Sequence, residues 1–277
     1  MPILFGRRVI VELGVAGGRA RRLEGLRVSF TVDMDDASTP NKGKVEVYGV
    51  GRETVSIMQA EGAVIRLLAG YESTTGARLL FEGQPIANGV KLDKRAGTER
   101  VLVVEAQDGG TTYRTSSISE TYTTATTSGA LFTACARAMG VPLGNVSSVV
   151  GSVSFPHGYV LTGPVRHHLD RIAAMSGAKW QIRDGTLQVW AEGGDTGEEA
   201  VVFSAQAGNL IESPKPQDGG GIEVQALLAP TLRPGKRFRV ESEDYTGNYT
   251  ATKVQFRGDS GFDRPFYVIA QGTALSR

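Results

Sequence analysis

The sequence is poor in the residues that most often carry chemistry. Its 277 residues include one cysteine, Cys135, and three histidines. A single cysteine excludes an intrachain disulfide, and Cys135 falls in an apolar helical pattern, which favours a buried side chain over a nucleophile. Basic and acidic residues number 30 and 29, a net charge of +1, so composition does not indicate a nucleic-acid or acidic-membrane partner.

Long apolar runs and ligand-binding motifs are also lacking. No run approaches the roughly 20 residues of a transmembrane helix, and Arg7 and Arg8 interrupt what would be the apolar core of a signal peptide. Gly219, Gly220 and Gly221 precede a predicted strand, so they lack the helix N-terminus that attracts phosphate. No nucleophile-elbow or metalloprotease motif is present. We expect no membrane segment and assembly in the cytoplasm.

Glycine, in contrast, is abundant. It accounts for 36 of 277 residues, nearly twice the usual frequency of about 7%, which favours a β-rich chain with tight turns. In the C-terminal part, Phe238 and Val240 alternate with Arg237 and Arg239, which predicts an antiparallel unit with one solvated face. The predicted strands of this unit are Ile222–Leu228, Lys236–Ser242, Asn248–Arg257 and Phe266–Gln271.

The N-terminal part carries similar alternation. We predict a first pair of strands, Arg8–Leu13 with Leu26–Asp33, joined by a solvated loop that holds the basic cluster Arg19, Arg21 and Arg22. The acidic loop 33–42 is interpreted as solvated, with cation binding as the alternative. Further predicted elements are the strands Lys44–Val50, Val64–Ala69, Arg78–Glu82 and Arg100–Gln107, and a short helical turn in Glu53–Glu61.

The order of features in the two terminal parts is the same. VEV at Val45 corresponds to IEV at Ile222, and VVEAQDG, which ends at Gly109, corresponds to YVIAQGT, which ends at Thr273. Glycine-preceded strands lie between these segments in both parts. The pattern predicts two copies of one β module, and the alternative is a chance similarity between two β meanders.

The middle of the chain has a different pattern. A Ser- and Thr-rich strand and loop, 111–128, precede a helix Gly129–Met139 with Ser128 as its N-cap and Gly140 as its stop. A second helix begins at Pro164 after a Thr162 or Gly163 cap and ends before Gly177, and Asp184-Gly185 then forms a hairpin turn. The predicted fold class is therefore mainly β (α+β), with domains 1–109, 110–197 and 198–277, the middle one being a small α/β insertion.

One cluster resembles a site. His167 and Asp170 could share a helix face as a metal pair or as a base with its orienting carboxylate. The neighbouring His168 points about 100° away, and only His157 remains as a third histidine, so a polar outer helix face is the favoured interpretation. Two tryptophans, Trp180 and Trp190, could form a sugar platform, although core packing is favoured. We assign no catalytic, cofactor-binding or metal-ligating residue.

Several segments together resemble the baseplate hub proteins of tailed phages, the group that includes the late control protein D family. These segments are NKGKVEVYGV from Asn41, LLAGYES from Leu67, LLFEGQPI from Leu79, VLVVEAQDG from Val101, IEVQALLAPTLRPGKRFRVES from Ile222 and GNYTATKVQFRGD from Gly247. They span most of the chain and contain no catalytic residue. At 277 residues the chain is compact for the group.

The resemblance implies a non-enzymatic virion protein with two tail-tube-like antiparallel β-barrel modules flanking the insertion. Three copies would form a ring joining the hexameric tail tube to the trimeric central spike, in contact with other baseplate proteins, and the tape measure protein and DNA would pass through its channel. One alternative is a hexameric tail-tube or distal-tail adaptor, which needs only one β module. Another is a glycan-binding or cell-wall-degrading tail module.

Overall fold

The computed structural model describes residues 6–15, 18, 20–73, 76–95, 99–261 and 264–275. Strands dominate these residues, as the glycine content and the period-two alternation predict. The N-terminal elements are β1 (Arg7–Val15), β2 (Ala20–Glu24), β3 (Val28–Asp35), β4 (Lys42–Tyr48), α1 (Arg52–Met58), β5 (Ala63–Tyr71), β6 (Gly76–Arg95) and β7 (Glu99–Gln107).

The insertion contains most of the helices and three small antiparallel pairs of strands. No helix in the described ranges is both long enough and apolar enough to cross a membrane. The elements are α2 (Gly110–Thr115), β8 (Ser117–Tyr122), β9 (Thr126–Thr127), α3 (Ser128–Met139), α4 (Ser148–Gly151), β10 (Ser154–Phe155), β11 (Tyr159–Pro164), α5 (Val165–Ser176), β12 (Ala178–Arg183) and β13 (Thr186–Ala191). Strand β8 pairs with β11, β9 with β10, and β12 with β13.

The C-terminal part returns to strands. Phe238 and Val240 are buried whereas Arg237 and Arg239 are exposed, which confirms the predicted alternation. The elements are β14 (Val201–Ser204), β15 (Lys215–Gln217), β16 (Gly221–Leu227), β17 (Arg237–Glu241), β18 (Thr246–Asp259) and β19 (Phe266–Ala274), with a 3-10 turn at Asp218–Gly220.

One large sheet runs through both terminal parts. Its strand order is β15-β16-β19-β18-β3-β4-β7-β6-β5-β1-β2, with β17 beside β18 and β14 beside β17. The two halves meet at the antiparallel pair of β3 and β18, where Val32 lies opposite Phe256. In the described part of the chain no pairing joins β2 to β15, so this strand path is open. The two-barrel arrangement stays a prediction.

The two halves repeat one strand order. In the first half, β4 pairs with β7, β7 with β6 and β6 with β5. In the second half, β16 pairs with β19, β19 with β18 and β18 with β17. The registers differ, because Val45 lies opposite Val104 whereas Ile222 lies opposite Gly272 and not Val268, the residue that aligns with Val104. The duplicated order agrees with the predicted pair of β modules.

Two expectations about the strands are wrong. Strand β1 does not pair with β3; it pairs with β2 and β5, while β3 pairs with β4 and β18. The predicted basic loop is partly strand, since Arg21 and Arg22 lie in β2, and Arg19 lies outside the described residues. The four strands of the predicted C-terminal unit pair antiparallel as expected, and β14, which precedes that unit, is parallel to β17.

Two main hydrophobic clusters fill the molecule. The larger one combines both terminal parts and includes Val32, Val104 and Phe256. The smaller one lies within the insertion and includes Phe132 and Ile172. The terminal parts therefore share a core, while the insertion has its own. The predicted domain boundaries at 109/110 and 197/198 stay a prediction.

The helix ends differ slightly from those predicted. Helix α3 has Thr127 as its N-cap, with Oγ1 accepting from the Ala130 N–H at 3.3 Å, while Ser128 is the first helical residue. The N-cap of α5 is Pro164, because β11 continues to that residue. The glycine stops are confirmed: Gly140 and Gly177 both adopt the left-handed conformation that glycine tolerates best.

Candidate functional surface and the polar junction beneath the insertion

A polar sheet face extends across both halves of the main sheet. Along β3, Val28, Phe30, Val32 and Met34 point to the core, so the intervening side chains point the other way. The pairing registers place side chains of β16, β19, β18, β4 and β7 on the same face. This polar sheet face comprises Glu223, Gln225, Gln271, Ile269, Tyr267, Lys253, Gln255, Arg257, Asp259, Ser29, Thr31, Asp33, Asp35, Lys42, Lys44, Glu46, Glu105 and Gln107.

Acidic side chains oppose most of the basic ones on this face. Lys42 lies opposite Asp33, Lys44 opposite Glu105, and Lys253 opposite Asp35. Opposite charges at facing positions of neighbouring strands attract, and each such pair contributes roughly 0.2–1 kcal/mol. The acids on the face outnumber the bases, so the surface carries no continuous positive stripe for phosphate groups.

A buried polar junction lies where the insertion leaves the sheet. Asp108 directly follows β7 and is 2% exposed. Its Oδ1 accepts from the Asn41 backbone N–H, and its Oδ2 accepts from Asn41 Nδ2, both at 2.7 Å. Burial raises the pKa of the Asp108 carboxyl to about 7; the two bonds from Asn41 lower that pKa, Asp184 raises it and Arg183 lowers it.

The β12–β13 hairpin brings the insertion to this junction. Gln181 Nε2 donates to the carbonyls of Asp35 and Ala37, both at 2.9 Å, and Lys179 forms an ion pair with Asp36. The insertion is therefore attached to the loop between β3 and β4 through its hairpin.

The same hairpin also contacts the C-terminal half. Buried Arg183 donates to the Pro234 carbonyl at 2.9 Å and pairs with Glu198 at 3.1 Å. Buried Arg233 pairs with Asp184 at 3.2 Å and donates to the Leu79 carbonyl at 2.8 Å. The junction thus connects the insertion, β6 and the C-terminal loops. These contacts are made by charged side chains and not by apolar packing.

The residues of the predicted helix cluster lie in different surroundings. His167 is exposed, whereas His168 is buried, and its Nε2 lies 3.0 Å from both the N–H and the carbonyl oxygen of Thr162. Asp170 Oδ1 accepts from Trp180 Nε1 at 2.9 Å. Within the described ranges no group of three or more His, Cys, Asp or Glu residues could hold a metal ion. Because His168 is buried, the interpretation of this helix face as polar and solvated is wrong for that residue. His168 instead contacts the backbone of Thr162 in β11, just before α5 begins.

Other predicted candidates serve packing. Trp180 and Trp190 are 2% and 3% exposed, so neither offers a ring to a sugar. Cys135 is buried, and burial raises the pKa of its thiol to about 12. The acidic loop, interpreted from sequence as solvated, instead contacts the insertion through Asp36. Sequence reasoning missed Asp108, Gln181 and Arg183. The one available signal was that Gln181 and Arg183 are polar residues in the β12–β13 hairpin, whose other face, with Trp180 and Ile182, is buried.

The fold is similar to that of two solved proteins described as tail proteins and of a type VI secretion system component. Three solved structures each superpose with a TM-score of 0.62: a component of the Escherichia coli type VI secretion system, described as structurally similar to phage T4 tail proteins gp27 and gp5, the 43 kDa tail protein of prophage MuSo2 from Shewanella oneidensis, and a tail protein from Neisseria meningitidis.

Sequence identity to these structures is low, at 11%, 10% and 12% respectively. The similarity covers 96%, 98% and 97% of this chain and 77%, 99% and 96% of theirs. Comparison of the sequence with protein-family models and with curated protein sequences gives no match. What this chain shares with the three proteins is therefore its fold along almost its whole length.

Proposed function

We propose that this chain is a non-enzymatic structural protein of a phage-type tail, and that three copies form a baseplate hub between the hexameric tail tube and the trimeric central spike. The observation that carries this proposal is the repeated strand order of β4–β7 and β16–β19. Three chains with two such modules each supply six similar units. Such a ring matches a sixfold tube on one side and a threefold spike on the other.

The fold neighbours support the same assignment. One is described as similar to gp27 and gp5, and two are described as tail proteins. In this proposal the chain resembles the late control protein D group, contains two tail-tube-like barrel modules, and occupies the virion baseplate after assembly in the host cytoplasm. The duplication disfavours the hexameric adaptor, since that protein needs one module. Burial of both tryptophans disfavours the glycan-binding alternative.

The test of the hub is the absolute mass of the purified chain, measured by light scattering over a range of concentrations. We expect the mass of three chains. A mass of six chains would favour the adaptor. A monomer that does not trimerise when tube or spike protein is added would refute the hub.

The polar sheet face suits the wall of the proposed channel. A channel that passes DNA must not bind it tightly, because each phosphate contact with a lysine or arginine adds affinity through counterion release. Here Asp33, Asp35 and Glu105 oppose three lysines on neighbouring strands. The tape measure protein would cross the same wall without binding it.

This role of the acids can be tested by removing their charges. The triple substitution Asp33→Asn, Asp35→Asn and Glu105→Gln removes the acids that oppose Lys42, Lys253 and Lys44, while Lys44 keeps its ion pair with Glu46. We expect it to create binding to duplex DNA through Lys42 and Lys253, measured by fluorescence anisotropy, with a slope of log affinity against log salt of roughly −2.

A matched triple substitution controls for the change in net charge. Glu61→Gln, Glu192→Gln and Glu199→Gln remove the same number of charges from exposed positions outside the polar sheet face. We expect no comparable gain in DNA binding. If the control gains as much affinity as the test variant, or if the unmodified chain already binds DNA with a steep salt dependence, the acids do not have the proposed role.

A further inference from the structure

The last part of strand β6 forms an open edge of the main sheet. Residues 90–95 pair with β7 on one side, and among the described residues no strand pairs with their other side. An edge strand presents N–H and carbonyl groups that a further strand can bind. We call this segment the β6 edge.

Two other outer strands of the sheet are protected against such pairing. On β14, the Asn209 side chain occupies the outer edge: its Oδ1 accepts from the Ser204 N–H at 2.8 Å and its Nδ2 donates to the Val202 carbonyl at 2.9 Å. On β15, Pro216 has no N–H to offer, and Pro214 precedes it. Residues 90–95 contain no proline, so their backbone is able to accept a strand.

The β6 edge carries an uncovered leucine on its core side. Leu92 lies in register with Leu102, which is fully buried. Paired residues of neighbouring strands project to the same face, so Leu92 points to the core side and is nevertheless 37% exposed. The apolar layer of the sheet is therefore incomplete at this edge.

Two bases face each other next to Leu92. Side chains alternate along a strand, so Lys94 lies on the same face as Leu92, directly opposite Arg100 of β7. Both bases are exposed, and neither forms an ion pair with a residue in the described part of the chain. Like charges at facing positions repel, whereas Lys42 on the polar sheet face lies opposite an acid. The pair at the β6 edge is therefore complementary to an acidic group from outside the chain.

A groove continues the β6 edge at its inner end. Its volume is about 390 Å³, and it lies between β6 and the connection from α1 to β5, with Met58, Ile86 and Val90 in its lining. Ile86 is 38% exposed. Because Val90 belongs to both the groove and the edge, a strand laid along the edge would place an apolar side chain in the groove.

We propose that the β6 edge binds an extended acidic segment of another protein as an additional strand. The backbone of that segment pairs with residues 90–95, an apolar side chain covers Leu92, and a carboxylate two residues further along lies beside Lys94 and Arg100. A phosphate group would satisfy the two bases and leave both Leu92 and the backbone uncovered. A second β6 edge would be repelled by its own lysines. The inference goes beyond the proposed hub and does not depend on the number of chains in the ring.

The test uses the purified full chain and fluorescein-labelled peptides with blocked ends. The peptide TVTLTETE has apolar and acidic side chains on one face of a strand, and TVTLTKTK is its basic counterpart. We expect fluorescence anisotropy to show saturable binding of the acidic peptide and no binding of the basic one. Two further acidic peptides carry N-methyl groups on alternate residues, one on each set. Only the set whose N–H groups point to β6 should abolish binding when methylated.

Substitutions in the protein locate the contact. Lys94→Glu combined with Arg100→Glu should weaken binding of the acidic peptide by at least about tenfold and create binding of the basic peptide. Leu92→Thr should weaken the acidic peptide by about threefold to tenfold without changing the charge preference. Lys253→Glu combined with Arg257→Glu is the matched control, because both bases are exposed on the polar sheet face. The control should bind like the unmodified chain, and circular dichroism should show that all variants are folded.

Several results would overturn the inference. Absence of saturable binding would show that the lysines only protect the edge, and equal losses in the control would show nonspecific attraction. If both methylated peptides bind like the parent peptide, the contact is not a strand. If duplex DNA displaces the peptide from the unmodified chain, the bases form an anion site. If the charge reversal dissociates a trimer that binds no peptide, a neighbouring copy occupies the edge.

Failure of the hub gives a different result. A chain that stays monomeric with its tail partners and still binds the acidic peptide at the β6 edge would refute the hub and leave this inference standing. A trimeric chain whose β6 edge binds no peptide would do the reverse.

Discussion

Ionisation of Asp108 should couple the stability of the whole protein to pH. The side chain is 2% exposed, and burial raises its pKa from the ordinary value of 3.8 to about 7. In the native protein the carboxyl therefore keeps its proton to a higher pH than in the unfolded chain. Because the native state binds more protons between these two values, its stability must fall as the pH rises through that interval.

The size of the effect follows from the shift in pKa. The difference of about three units corresponds to about 4 kcal/mol at 1.36 kcal/mol per unit. The contribution is fully present below about pH 4, decreases progressively, and is lost above about pH 7. A loss of this size is a large fraction of the 5–15 kcal/mol that usually separates native from unfolded protein.

The assay is urea unfolding of the unmodified chain and of Asp108→Asn between about pH 4 and pH 8. The variant cannot titrate at this position, so the difference in unfolding free energy between the two proteins isolates Asp108. As the pH rises from about 4 to about 8, we expect the unmodified chain to lose about 4 kcal/mol of unfolding free energy relative to Asp108→Asn. Since Asp184 raises the pKa of Asp108, Asp184→Asn should lower that pKa, and the loss of stability should then occur at lower pH. A difference that is constant with pH, or that changes in the opposite direction, would refute the reasoning.

Two further predictions concern packing and helix support, and both are measured by urea unfolding. Gly258→Ala would place a Cβ 2.2 Å from Cζ of Phe30 and should destabilise the protein by about 1–3 kcal/mol. In the control Gly151→Ala the nearest atom to the new Cβ lies at 3.5 Å, so we expect little effect. Equal losses of stability in the two variants would contradict this prediction. His168→Ala removes the partner of the Thr162 backbone in β11 and should lower the unfolding free energy by about 1–3 kcal/mol. His167 is exposed, so His167→Ala should leave the unfolding free energy unchanged. An equally large loss in His167→Ala would contradict this assignment.

Local features of the fold could be predicted from the sequence because each depends on nearby residues. The Asp184-Gly185 turn is an example: both residues have positive φ, at 49° and 72°, as a two-residue turn between strands of this kind requires. Helix α5 ends at Gly177 for a similarly local reason. Such signals extend over a few residues, and the structure confirms them.

Strand partners and the junction could not be predicted in this way. Strands β3 and β5 bury alternate side chains along most of their length, and β1 buries Val9, Ile10 and Val11 in succession. Such patterns show which side chains are buried but not which strand lies alongside. Nor does a short polar segment such as Gln181 to Arg183 show that carbonyls from a distant loop will lie within hydrogen-bond distance. The long-range contacts that attach the insertion to the sheet therefore appear only in three dimensions.

The β3–β18 pair also determines when the protein can fold. Strand β3 ends at Asp35, and its partner β18 begins at Thr246, so more than two hundred residues of synthesis separate the two sides of the central pairing. Pairings of such long sequence separation form slowly, and an unpaired strand edge is prone to aggregate while it waits. We expect the insertion, whose strand pairs are close in sequence, to fold first on the ribosome. The large sheet, and with it the polar sheet face, can form only when the chain is almost complete.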